Sequence, residues 1–202
     1  MSGWSHHTGL AAALASENID TDQLIPARFM SAPRSEGYGR FLLHDARFDE
    51  AGNALDHPLN AAQPTILVAG RNFGSGSSRE AAVYALADYG IRAVLAPSFG
   101  DIFASNAVNN GLLPGRLDQA THAALMERLG KGPAEIAIDL ERLRLACGEL
   151  DAPFGLDPVW QTKLRNGWDD IDLARQYADE ITAFANARRA AAPWAWPAEE
   201  GG

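Results

Sequence analysis

Thr65-Ile66-Leu67-Val68-Ala69 runs straight into Gly70-Arg71-Asn72-Phe73-Gly74-Ser75-Gly76-Ser77-Ser78-Arg79-Glu80, and the helix-like run Ala81 to Tyr89 follows. Apolar residues, a glycine-spaced turn and an alanine-rich segment spell strand, tight loop and helix. Gly74 and Gly76 allow positive φ and let the backbone approach a ligand with no Cβ in the way. Ser77 with Glu80 three residues on makes a Ser-x-x-Glu capping box, so the spacing predicts Ser77 as N-cap. Free N–H groups and the positive end of the helix dipole would then face one point, a ready anion site. Arg79 works against that dipole, and a cation placed at such a cost points to a negative target. A plain capped helix with a solvated Arg79 satisfies the same spacing.

The loop lacks the Gly-Lys-Ser/Thr ending of a P-loop, so no lysine reaches terminal phosphates. Gly74-x-Gly76 begins a dinucleotide fingerprint, but Arg79 stands in place of its third glycine. Two hydroxyls beside a guanidinium suit a carboxylate, which takes the planar fork of Arg and short bonds from serine.

Outward from the loop, Glu80 to Tyr89 closes at Gly90, and Ile91-Arg92-Ala93-Val94-Leu95-Ala96 reads as the next strand. Two strands with a helix between them make a βαβ unit, hence parallel pairing. Phe99 to Asn110, stopped by Gly111, and Leu117 to Leu129, capped by Asp118, read as further helices. Glu135 to Leu140 and Leu143 to Cys147 alternate with period two about a turn at Glu141-Arg142, which puts Cys147 on the buried face as a packing residue.

The 202 residues suit one medium domain with or without an appendage, and 47% hydrophobic with 21% charged residues is an ordinary globular balance. A net charge of −9 argues against nucleic acid on the general surface. No apolar run approaches a membrane span. Leu10 to Ser16 resembles a short signal core, yet no Lys or Arg precedes Arg28, so the expected place is the cytoplasm. One cysteine, Cys147, excludes an internal disulfide and cannot alone hold a cluster or a structural zinc.

Residues 1–9 read as a loose arm, with His6-His7 an incidental pair. Asn18-Ile19-Asp20-Thr21-Asp22-Gln23 reads as a turn, or one that positions a neighbouring basic residue; it lacks the ligand spacing of an EF-hand. Arg28-Phe29-Met30-Ser31-Ala32-Pro33-Arg34 with Gly37-Tyr38-Gly39 reads as a mobile loop, in which Arg28 and Arg34 are candidate anion ligands. Phe41-Leu42-Leu43 is a short helix or strand. Trp168 to Ala190 predicts one amphipathic helix with Ile171, Ala174, Ala178, Ile181 and Ala185 on a face that docks on this domain or on a partner. Residues 191–202 read as a disordered tail.

Four segments together resemble the small-subunit family of 3-isopropylmalate dehydratases, relatives of the swivelling C-terminal domain of aconitase. They are Asn18-Ile19-Asp20-Thr21-Asp22 with Ile25-Pro26; Asn72 to Glu80; Tyr89 to Val94 with Ala96-Pro97-Ser98-Phe99; and Asp101-Ile102-Phe103 with Asn106 and Asn109 to Pro114. Asn166-Gly167-Trp168-Asp169-Asp170-Ile171 echoes a fifth, so the likeness covers nearly the whole chain. It implies an α/β fold: a swivelling β/β/α domain over 1–165 with a central βαβ unit, and a C-terminal helical extension over 166–190.

The resemblance also implies chemistry. The chain itself would bind no cofactor, and a large subunit would carry a [4Fe–4S] cluster. Ser77 would be the base, with Arg79 and Ser78 holding a carboxylate of an alkylmalate. Phe29, Met30 and Ser31 would lie where the family reads the substrate's variable group, with Arg28 and Arg34 beside them. The implied reaction interconverts 2-isopropylmalate and 3-isopropylmalate in leucine biosynthesis. Two positions depart from the family pattern: Ser75 stands where Cys is usual and Ala81 where His is usual. A paralogous hydro-lyase for another alkylmalate, of the methylmalate or dimethylmalate type, and a non-catalytic anion-binding module are the alternatives.

Overall fold

A computed structural model describes residues 2–196, which divide into two compact units, one ending at Trp168 and one starting at Asp169. The first unit opens with strand β1 (His6–Leu14), followed by the short helix α1 (Thr21–Leu24). Three 3-10 turns then run through Ala27–Ser31, Arg34–Glu36 and Gly39–Phe41, before the one-turn helices α2 (His44–Arg47) and α3 (Pro58–Ala61). The alternating core is β2 (Ile66–Ala69), α4 (Glu80–Tyr89), β3 (Ala93–Ala96), α5 (Asp101–Asn109) and β4 (Leu113–Arg116). Helix α6 (Gln119–Leu129), strands β5 (Ala134–Asp139), β6 (Arg144–Cys147) and β7 (Leu150–Pro153), and helix α7 (Pro158–Asn166) complete it.

The strands form one seven-stranded sheet in the order β4-β3-β2-β1-β5-β6-β7. β1 to β4 pair in parallel and β5 to β7 antiparallel, with β1 joining the two halves. The two edges also meet. Arg116 at the end of β4 exchanges N–H···O bonds of 2.9 and 2.7 Å with Gly155 beyond β7, so the sheet curls toward closure.

The parallel half is apolar on both faces because both are covered. Leu67, Ala69, Val94 and Ala96 face a core shared with Leu86 of α4 and Phe103 of α5, while Ile66, Val68, Ala93 and Leu95 face one shared with Leu125, Ile136 and Leu145. In the antiparallel half only one face is buried, and Ile136, Ile138, Leu145 and Cys147 alternate with exposed residues. The βαβ unit, the turn between β5 and β6 and the buried place of Cys147 follow the sequence reading.

Three expectations need correction. The loose arm is strand from His6 onward; ahead of it the Trp4 N–H bonds the Leu164 carbonyl at 3.1 Å and the Ser5 carbonyl accepts from Leu140 at 2.8 Å. Residues 6–9 pair with β5, and the strand they begin also pairs with β2 from Ala11 onward, which supplies the order that its alanines and glycine do not. Phe41 ends a 3-10 turn, and Leu43, at φ 49°, precedes α2. In the second unit, Trp168 to Ala190 is not one helix. α8 (Asp170–Arg175), capped by Asp169, ends where Gln176 and Tyr177 bond three residues back, and α9 (Ala178–Ala191) begins afresh. Pro193–Ala195 form a 3-10 turn, and the tail expectation for 197–202 lies outside the described residues. No helix among the described residues is long and apolar enough to cross a membrane.

His57 begins α3, its Nδ1 accepting the Leu59 N–H at 3.1 Å. Burial, and then the charge of Arg47, hold its pKa below the ordinary 6.5. The unfolded chain therefore takes up a proton that the folded chain resists. Stability from this site is complete above pH 6.5 and falls as the pH drops through that value toward the lowered folded one. Urea unfolding from pH 8 to 5 is expected to show this loss, and His57→Asn, which keeps a capping acceptor, is expected to flatten it.

Candidate active site

The loop after β2 is pinned from both sides by backbone. The Gly74 N–H donates to the Ile19 carbonyl at 2.7 Å, and the Thr21 N–H donates to the Ser75 carbonyl at 2.9 Å. From the other side the Ser98 hydroxyl accepts the Asn72 N–H at 2.8 Å, and the Phe73 carbonyl accepts from Gly100 at 2.9 Å. Asn72, Gly74 and Gly76 take positive φ of 58°, 71° and 92°, which bends the chain back toward α4.

Ser77 is not the N-cap of α4. The Thr21 Oγ1 donates to the Ser77 carbonyl at 2.9 Å, and the Arg79 N–H closes on the same carbonyl at 2.7 Å. That tight turn delays the helix by two residues, so Arg79 is the capping position and no side chain caps it. The Ser77 and Ser78 side chains are exposed, and among the described residues neither hydroxyl has a hydrogen-bond partner. α4's first N–H groups, which have no partner four residues back, follow directly. A hollow of about 240 Å³ lies beside Ser77, lined by Gly74 to Ser77 and Gly100 to Phe103.

Arg79 is part-buried and one guanidinium nitrogen is bound to Asp22 of α1. The turn at 18–23 does position a basic residue: Asp20 caps α1 in a box with Gln23, and that helix carries Asp22 to Arg79. Thr21, only 2% exposed, was not singled out in the sequence; its place between two aspartates was the available signal.

The remaining candidates are distributed. Arg28 pairs with Asp45 of α2 and lies 4.5 Å above the Phe29 ring, while Met30 and Ser31 are exposed. Asp45 and Asp22 line one cavity of about 690 Å³ with His57, so Arg28 and Arg79 each hold a carboxylate at its wall. Arg34 goes elsewhere. It grips Asp88 near the C-terminal end of α4 with bonds of 2.5 and 2.9 Å and stacks over Tyr84. Asp88 is eight residues along from Glu80, about 12 Å at helical rise.

Cys147 is buried in β6, and among the described residues no three His, Cys, Asp or Glu side chains gather as a metal requires. The donor set of this chain does not fit an iron–sulfur cluster, which needs several thiolates.

Residues 1–120 match the aconitase C-terminal domain family. A 3-isopropylmalate dehydratase small subunit from Halalkalibacterium halodurans is 44% identical over 189 residues, covering 90% of this chain and 96% of the relative. The chain belongs to the 3-isopropylmalate dehydratase small-subunit family. A second member, from Rhodospirillum centenum, is 43% identical over 194 residues, with 93% and 96% of the two chains covered. The crystal structure of a 3-isopropylmalate dehydratase from Methanocaldococcus jannaschii superposes with a TM-score of 0.66 at 25% identity, covering 88% of this chain and 99% of that one. The family's swivelling β/β/α architecture is the curled mixed sheet with its βαβ core described above.

Proposed function

We propose that this chain is the small subunit of a 3-isopropylmalate dehydratase, a hydro-lyase that interconverts 2-isopropylmalate and 3-isopropylmalate by dehydration and rehydration in leucine biosynthesis. A small subunit works with a large one, and we assign the [4Fe–4S] cluster to that partner, in keeping with a donor set here that cannot hold it. When bound there, the cluster would supply Lewis-acid chemistry. We place the assembly in the cytoplasm, where an unpaired cysteine stays a thiol. The observation that carries the reading is an exposed Ser77 hydroxyl, without a partner among the described residues, two positions before Arg79 on a loop fixed by backbone bonds.

In this reading Ser77 Oγ takes the proton from the carbon adjacent to the hydroxyl-bearing one. The C–H electron pair becomes the second bond of a carbon–carbon double bond, the C–O pair leaves with the hydroxyl oxygen, and that hydroxide takes a proton from solvent to become water. Returning the proton held by Ser77 and a hydroxide to exchanged carbons yields the isomer, the water that supplies the hydroxide giving its other proton back to solvent. A serine hydroxyl is a weak base in water; Arg79 and the start of α4 favour its alkoxide by placing positive potential beside it. Arg79 and Ser78 hold a substrate carboxylate, for which that carboxylate competes with Asp22. Phe29, Met30 and Ser31 read the variable alkyl group, and Arg28 closes that side. Arg34, gripped by Asp88 along α4, acts on substrate only if a carboxylate displaces Asp88.

Reconstitution with the cognate large subunit, assayed on both isopropylmalates and a panel of smaller alkylmalates, tests the assignment. Interconversion of the two isopropylmalates in preference to the panel is the expected result, and preference for a smaller alkylmalate overturns the substrate. In the same assay Arg79→Lys is expected to raise KM about ten- to a hundredfold, the worth of one charged hydrogen bond lost.

A further inference from the structure

The C-terminal unit carries large apolar side chains in water: Tyr177 is 58% exposed, Ile181 52% and Phe184 72%. At helical spacing Ile181 and Phe184 share one face of α9, which Tyr177, the residue that precedes its first turn, extends. That face has an internal symmetry about Phe184. Four positions before Phe184 is Glu180 and four after it is Arg188; three before is Ile181 and three after is Ala187. Seven before is Tyr177 and seven after is Ala191. Every large or acidic residue on one side has a small or basic counterpart at the same distance on the other.

We propose that α9 is a self-association surface, on which a second copy of this chain pairs antiparallel about a two-fold axis at Phe184. Such an axis sets each residue against the one equally far beyond Phe184, which is the self-complementarity an isologous contact requires. Phe184 meets Phe184 of the second copy, Ile181 packs over Ala187, and Tyr177 packs over Ala191. Glu180 of each copy meets Arg188 of the other, twice over. Among the described residues neither Glu180 nor Arg188 has a side-chain partner. The neighbouring Arg189, by contrast, already lies 5.0 Å above the Trp196 ring. A parallel pairing would instead set Glu180 against Glu180 and Arg188 against Arg188. The charge pattern therefore selects the second copy in one orientation, and the assembly that follows joins two large–small pairs.

The seam is short, about 21 Å for fourteen residues, so its dissociation constant belongs on the order of micromolar. Sedimentation velocity on the purified large–small complex, titrated through that range, reads it directly. The expected result is a concentration-dependent doubling of mass with two small subunits per particle. Phe184→Glu is expected to abolish the doubling and leave turnover per site unchanged. Glu180→Arg and Arg188→Glu are each expected to weaken it roughly tenfold or more, because each sets like charges opposite each other at both symmetric contacts. The combined exchange of both is expected to restore it. A single small subunit per particle throughout, no rescue by the double exchange, or release of the large subunit by Phe184→Glu overturns the proposal; the last outcome assigns the face to the large subunit.

Discussion

Ser77→Ala is expected to lower kcat of the reconstituted enzyme by about 10²–10⁴-fold, the ordinary worth of a general base, while KM moves only a few-fold. The split follows from where the atoms are. The carboxylate-binding groups are Arg79 and Ser78, and neither depends on the Ser77 hydroxyl, which has no partner among the described residues. What fixes the backbone at Ser77 is its carbonyl, held by Thr21 and by the Arg79 N–H, and alanine keeps that carbonyl. The loop should therefore hold its shape, and binding with it. Steady-state kinetics in both directions checks this. A variant that kept a tenth or more of wild-type kcat would remove Ser77 from the proton transfer, whereas a KM rise matching the kcat loss would make it a binding residue.

Thr21→Val is the informative companion, because it deletes the hydroxyl that grips the Ser77 carbonyl and touches no substrate. If the loop's rigidity contributes to catalysis, kcat falls in that variant although Ser77 and Arg79 are both present. Geometry displaced by even about an ångström is costly to a proton transfer.

How far the sequence disclosed this arrangement depends on the range of the forces involved. β2 and β3 could be read because burial on both faces demands uninterrupted apolar runs, and β5 with β6 because burial on one face demands alternation. β1 carries neither pattern strongly; its Thr-Gly-Leu-Ala-Ala-Ala stretch becomes the central strand only because Ile66 and Ile136 flank it in register. The loop and its chemistry were legible, since glycine spacing, hydroxyls and Arg79 are local. The start of α4 was not. A Ser-x-x-Glu box sits in the sequence, but Thr21, fifty-six residues away, takes the Ser77 carbonyl and moves the cap to Arg79. The fates of the three arginines are equally non-local. Arg28 finds Asp45 across 17 residues, Arg34 finds Asp88 across 54 and Arg79 finds Asp22 across 57. No window of sequence shows which carboxylate each will meet, and those choices separate Arg34 from the cavity whose wall carries the partners of Arg28 and Arg79.

Gly74→Ala tests whether the loop is held by packing as well as by hydrogen bonds, and it should be the most destabilising single methyl in the site. Gly74 sits at φ 71°, where an L side chain costs about 1–2 kcal/mol. The added Cβ would also lie 2.2 Å from Cγ of Phe103. Cγ is the root of that ring, so the ring cannot swing aside by rotating about its own axis. It is only 3% exposed and wedged between Phe73, at 5.4 Å and edge-on, and Phe99, stacked at 6.3 Å. Overpacking of this kind adds about 1–3 kcal/mol. The sum, about 2–5 kcal/mol, is a large share of ordinary domain stability and lowers Tm by about 2–4 °C per kcal/mol at this size. Gly52→Ala separates the two contributions. Its φ is 82°, yet nothing lies within 4 Å of the new methyl, so only the conformational cost applies. If thermal unfolding shows the two variants equally destabilised, Phe103 does not brace the loop. If Gly74→Ala is the worse of the two and Phe103→Leu in the same chain recovers part of the loss, the ring is what fixes the turn that presents Ser77 to solvent.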